Sequence, residues 1–148
     1  MGLVYKQVLK FKNKYPMTIA WRLKHNASII EKHLNPGEEP LYSFAAQKND
    51  SPFNIIGTAV VTLTNKRLLI GRKRVVFGYF LDAVTPDMFN DLKVASGVLW
   101  GKIYIDSVKE FITLSNFLEY PILFLWYSYS NLSNILNSPF GNILRSKS

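Results

Sequence analysis

Cysteine is missing from this 148-residue chain, which removes a disulfide framework, a thiol nucleophile and any cysteine–zinc centre. A chain without thiols suits a reducing interior. The expectation is therefore cytoplasmic, with peripheral contact at the inner membrane face as its variant. Histidine is nearly missing too. His25 and His33 stand eight apart, with no glutamate framed between two histidines at helical spacing. Asp82, Asp87 and Asp91 are spaced five and four across Pro86, which is not the alternating oxygen ladder of a calcium loop. No glycine run leads from a strand into a helix, and no Gly-x-Ser-x-Gly elbow occurs. The expectations are accordingly no enzyme, no catalytic residue, no cofactor, no metal and no small-molecule substrate. Long apolar runs are missing as well. The longest, Ile122 to Tyr127, is far below the roughly 20 residues that span a bilayer, and the N-terminus lacks the pattern of a secretory leader.

Negative charge is scarce: ten acidic residues face eighteen lysines and arginines, a net charge of +8. The excess is local. Residues 1–33 carry seven cations against Glu31 alone, whereas residues 82–115 carry three cations against five carboxylates. Such an asymmetry suits an anionic partner, or simply a soluble basic extension. With 48% hydrophobic residues the chain can still bury a real core.

Along the chain, residues 1–15 interleave Lys6, Lys10, Lys12 and Lys14 with Val4, Val8, Leu9 and Phe11. Met17 to Leu34 reads as a helix with Ile19, Leu23, Ala27, Ile30 and Leu34 on one face, stopped by Asn35-Pro36-Gly37. Trp21 falls opposite that stripe, beside Lys24, His25, Ser28 and Lys32. It suits an anchor on a partner or membrane surface, or packing against the body of the fold. Seven strands are expected next, over 41–47, 55–64, 67–71, 75–81, 88–95, 99–105 and 108–114. The alternation of Ala59, Val61 and Leu63 with Val60, Thr62 and Thr64 sets the second, and the third returns after Asn65, which tolerates the positive φ of a tight hairpin. Inward sets are Leu99, Ile103 and Ile105 in the sixth strand and Val108, Ile112 and Leu114 in the seventh. In the fifth, Leu92 and Val94 take opposite faces only across a bulge. Short reversals at Lys73-Arg74, Ser96-Gly97 and Asp106-Ser107 favour antiparallel neighbours. A final helix is expected from about Pro121 to Asn137, apolar on two faces. One face carries Ile122, Leu125, Tyr129, Leu132 and Leu136; the other carries Leu123, Phe124, Tyr127 and Ile135.

The Gly37-Glu38 opening, Leu63-Thr-Asn-Lys-Arg-Leu-Leu-Ile70 and Gly97-Val-Leu-Trp-Gly-Lys-Ile-Tyr-Ile105, followed by the helix after Pro121, resemble the bacterial pleckstrin-homology (PH)-like domains over about two-thirds of the chain. The resemblance implies a mostly β fold, a partly open barrel of seven antiparallel strands in two nearly orthogonal sheets, capped by a C-terminal helix. To this the sequence adds an N-terminal helix. The expected organisation is a basic helical extension at 1–36, a PH-like domain at 37–137 and a tail at 138–148. The family implies non-catalytic binding of lipids, peptides or proteins.

By that resemblance an anion or lipid headgroup is expected at Lys48, at Arg72, Lys73 and Arg74, and at Lys109, unless these are solvated turn residues. A partner surface is expected at Trp21, Leu123, Phe124 and Tyr127. The leading expectation is a module for protein–protein contact or self-association. Peripheral binding of anionic lipid through the basic N-terminus and the Arg72–Arg74 loop is the alternative. Single-stranded nucleic acid ranks third, on the Trp100–Lys102–Tyr104 strand face, because most other aromatics (Phe44, Phe77, Tyr79, Phe80, Phe111, Tyr129) are expected in the core.

Overall fold

A computed structural model describes residues 2–48, 55–96 and 100–117. Two helices, α1 (Leu3–Lys14) and α2 (Leu23–Lys32), precede seven strands. The strands are β1 (Pro40–Gln47), β2 (Thr58–Thr64), β3 (Leu68–Lys73), β4 (Tyr79–Val84), β5 (Phe89–Ser96), β6 (Trp100–Ser107) and β7 (Phe111–Phe117). All neighbours are antiparallel, in the order β4-β3-β2-β1-β7-β6-β5, curled into a half-barrel. Among the described residues β1 joins β7 at Gln47↔Ser115. The proposed C-terminal helix and the tail lie outside the described residues.

The two-residue period of β2 explains the layering. Ala59, Val61 and Leu63 point into the barrel with Ala46, Leu68, Ile70, Val84, Phe89, Ile105, Ile112 and Leu114. Val60 points the other way and meets Ala45, Leu69 and the buried stripes of the helices: Val4 and Val8 of α1, Leu23, Ala27 and Ile30 of α2. Every residue of β2 is therefore buried, because both faces of this strand are covered. Ser43 and Thr62 are buried and paired. Ser43 donates to Gln7 Oε1 at 2.7 Å, and its hydroxyl lies 2.9 Å from that of Thr62. The basic segment before the barrel is thus a structural layer of the fold.

Several boundaries differ from the sequence expectation. The helix expected over 17–34 is shorter: α2 starts at Leu23 after Arg22 adopts a left-handed φ of 57°. Asn65 has no positive φ; the β2–β3 turn is held instead by Thr64 Oγ1, which accepts from Lys66 N and Arg67 N at 3.1 and 2.9 Å. Ile55–Gly57 is a 3-10 turn rather than strand. The fourth strand begins four residues late, because Arg74–Gly78 form the turn: Arg74 N donates to Gly78 O at 3.1 Å and Gly78 takes φ +77°. The reversal expected at Asp106-Ser107 falls at Val108–Glu110, so Val108 is exposed rather than inward, while Ile112 and Leu114 are buried. Four of the aromatics assigned to the core, Phe77, Tyr79, Phe80 and Phe111, are exposed; the first three sit on or beside that late turn, and Phe111 starts β7 on its outer face. In β5 the irregularity lies between Phe89 and Asp91, and Leu92 and Val94 pair with Ile105 and Ile103.

Candidate functional site

The apex of the β3–β4 hairpin is the most exposed apolar segment among the described residues. Val75, Val76 and Phe77 are 53%, 73% and 84% exposed. Burial of any one against its own fold would have been favourable, yet the turn closed by Gly78 holds all three outward. The stem below them is cationic. Arg72 pairs across the hairpin with Phe80, and Lys73 with Tyr79. The guanidinium groups of Arg72 and Arg74 lie 4.6 and 4.3 Å from the Phe80 ring centroid, a cation–π arrangement that keeps both charges at the stem.

The corner between α1 and α2 joins this patch. Arg22 Nη1 donates to the carbonyl of Arg74 at 3.0 Å, while its guanidinium stacks 4.4 Å from the Trp21 ring. Two further contacts set the stem against α2: Lys73 N donates to Asn26 Oδ1 at 2.8 Å, and His33 Nε2 lies 2.9 Å from Tyr79 Oη. The fold therefore brings together Trp21, Arg72, Lys73 and Arg74, four of the residues singled out from the sequence. Arg22 and the apolar apex were missed. Gly78 was the available signal for the apex, since a glycine four residues past Arg74 permits a wider turn than the two-residue reversal expected there. Arg22 carried no signal.

The other expected cations stand apart. Lys48 forms an ion pair with Asp82 and lies 3.8 Å from Glu110, so two carboxylates oppose its charge. Lys109 is exposed on the β6–β7 turn. Leu123, Phe124 and Tyr127 lie outside the described residues. Among the described residues no group of three or more His, Cys, Asp and Glu side chains could hold a metal, and no helix is long and apolar enough to cross a membrane.

A family model described as a bacterial PH domain matches residues 34–121, more than half of the chain. The chain belongs to the bacterial PH domain family. A search of curated proteins finds no match. PH-like domains are binding modules, and their ligands are proteins or lipids.

Within this bacterial PH domain the Glu38 carboxyl group departs clearly from its ordinary titration. The Glu38 side chain is fully buried. Burial alone would raise its pKa. The Arg67 guanidinium outweighs that, with Nε and Nη2 donating to its two oxygens at 2.9 and 3.0 Å, helped by Asn35 N and Thr64 Oγ1, each at 2.8 Å. The net shift is downward, so Glu38 is ionised at neutral pH. Arg67 Nη2 also donates to His33 O at 2.8 Å, which satisfies a carbonyl at the C-terminal end of α2. The cluster latches α2 to the β2–β3 turn, and its distance from water marks it as structural.

Proposed function

We propose that this chain is a non-catalytic binding module that docks peripherally on anionic lipid surfaces through the β3–β4 hairpin. The observation that carries the reading is an apolar apex, Val75 to Phe77, held outward above a cationic collar of Arg22, Arg72, Lys73 and Arg74. An apolar tip enters the acyl boundary while the collar meets phosphate at the headgroup level, and an indole such as that of Trp21 suits the same level. Each cation near an anionic leaflet contributes about 1 kcal/mol. Burying a residue the size of Phe77 contributes about 2 kcal/mol more. The surplus of cations on α1 adds a field of the same sign.

Sedimentation with phosphatidylcholine vesicles, with and without phosphatidylglycerol, tests this. The chain should pellet with the anionic vesicles only, and the bound fraction should fall steeply as salt rises. Phe77→Ser and Arg74→Glu should each weaken binding several-fold and leave the melting temperature unchanged, because both side chains are exposed. No pelleting with anionic vesicles at low salt defeats the reading.

A further inference from the structure

The β3–β4 hairpin meets the end of α2 through an imidazole. His33 follows the last turn of α2, and both of its ring nitrogens are engaged. Nδ1 lies 2.6 Å from the Ile29 carbonyl, which can only accept, so Nδ1 carries a hydrogen. In the neutral ring Nε2 is then the bare nitrogen, and it accepts from the Tyr79 hydroxyl at 2.9 Å. The two rings stand 5.2 Å apart, and Tyr79 is 48% exposed beside the apolar apex. A further proton has one place to go, which is Nε2. Its arrival reverses the hydrogen bond: the imidazolium donates, the Tyr79 oxygen accepts, and the hydroxyl hydrogen is freed toward solvent.

The carboxylates near His33 in the chain are turned to other partners. Glu38 holds Arg67, whose Nη2 donates to the His33 carbonyl, and Glu31 Oε1 accepts from Tyr5 N at the start of α1. Lys32 precedes His33 on α2 and is exposed, and Lys73 of β3 pairs with Tyr79 across the hairpin. These lysines oppose a new positive charge, whereas an anionic surface favours it. We propose that His33 makes lipid docking pH-dependent: a proton on Nε2 adds a cation to the collar and frees the Tyr79 hydroxyl to donate to a headgroup phosphate. This pH dependence rests on the lipid docking proposed above. Coupling is reciprocal, so a surface that favours the imidazolium is bound more tightly by it. One more cation near an anionic leaflet multiplies the affinity about fivefold. Histidine is the side chain whose charge ordinarily changes between about pH 5 and 8. The chain has only two, and the other, His25, is exposed in the first turn of α2. Glu38 stays ionised over that range, because Arg67 and its other donors hold its pKa below the ordinary value despite burial.

Sedimentation with mixed phosphatidylcholine and phosphatidylglycerol vesicles at about pH 5.5 and 7.5 tests the proposal, since these values bracket histidine and the lipid phosphodiester keeps its charge at both. The wild type should bind about fivefold more tightly at the lower pH. His33→Gln should bind at both values as the wild type does at the higher one. His33→Arg, a permanent cation, should be equally flat but tighter. Tyr79→Phe keeps the imidazole and has no hydroxyl to free, so it should gain less than the wild type on acidification. His25→Gln should respond as the wild type does, and it assigns the gain to the remaining histidine even if the His33 variants fail to fold. Equal binding by the wild type at both pH values overturns this inference and leaves the lipid reading standing. A gain that vanishes in His25→Gln, persists in folded His33→Gln or is undiminished in Tyr79→Phe also overturns it. No pelleting at either pH defeats the lipid reading and this inference together.

Discussion

Asn26 and Gly71 show how closely α2 approaches the sheet. Asn26 sits in mid-helix on the buried side, where an amide is costly unless paired. Its Nδ2 donates to Thr58 O at 3.0 Å and its Oδ1 accepts from Lys73 N, so one side chain satisfies the start of β2 and the end of β3. At Gly71 a Cβ would lie 2.8 Å from Ile30 Cγ1 and 2.9 Å from Asn26 O, closer than real contacts allow. Only glycine lets the helix backbone come so near. Asn26→Ala strands a buried and a part-buried backbone group and should cost roughly 2–4 kcal/mol. Gly71→Ala should cost about 1–3 kcal/mol by forcing α2 outward. Thermal or urea unfolding measures both, and a change below about 0.5 kcal/mol for either would contradict this account of the interface.

The Glu38–Arg67 latch belongs to the scale of elements, since it ties α2 to the β2–β3 turn. A carboxyl whose folded pKa is lowered contributes stability that is fully present above its unfolded value near 4.5 and is lost as pH falls through the folded value. The unfolded chain takes up the proton first, so acid pulls toward unfolding. Glu38→Gln removes the charge opposite Arg67 and should cost roughly 2–4 kcal/mol at pH 7. The gap between variant and wild type should narrow below pH 4.5, and a gap independent of pH would refute the assignment. Elements were readable in the sequence wherever one period dominated. Leu23, Ala27 and Ile30 marked the buried stripe of α2, and Ala59 to Leu63 marked β2 with both its faces. Gly37-Glu38 was noticed as an opening, but its electrostatic role was not, because Arg67 comes to it only in three dimensions. The β3–β4 apex was misread as strand for a related reason. Val75, Val76 and Phe77 have every local preference of a strand, and only Gly78, with the pairing of Lys73 to Tyr79, turns them outward.

At the scale of the molecule the half-barrel is unevenly braced. In the β1–β4 half, β1, β2 and β3 are covered on both faces, by the barrel core within and by α1 and α2 without. The β5–β7 half carries the exposed Phe111 and Tyr104 cleft on its outer face. The halves share the barrel core and, among the described residues, meet along the sheet at Gln47↔Ser115. Local opening follows the number of buried contacts that must be broken. Amides of β2 and β3 lose two layers at once when they open, whereas β5 is an edge strand with one neighbour. Native-state hydrogen exchange should therefore be slowest at Val60, Val61, Leu69 and Ile70, and at least about a hundredfold faster along β5, a gap of roughly 3 kcal/mol in opening free energy. The same asymmetry suits the proposed lipid contact. The β3–β4 hairpin stands on the braced half, where the proposed insertion meets a rigid support. If exchange proved uniform across the sheet, both halves would open as one unit, and the helices would contribute no more to β2 than the barrel core alone.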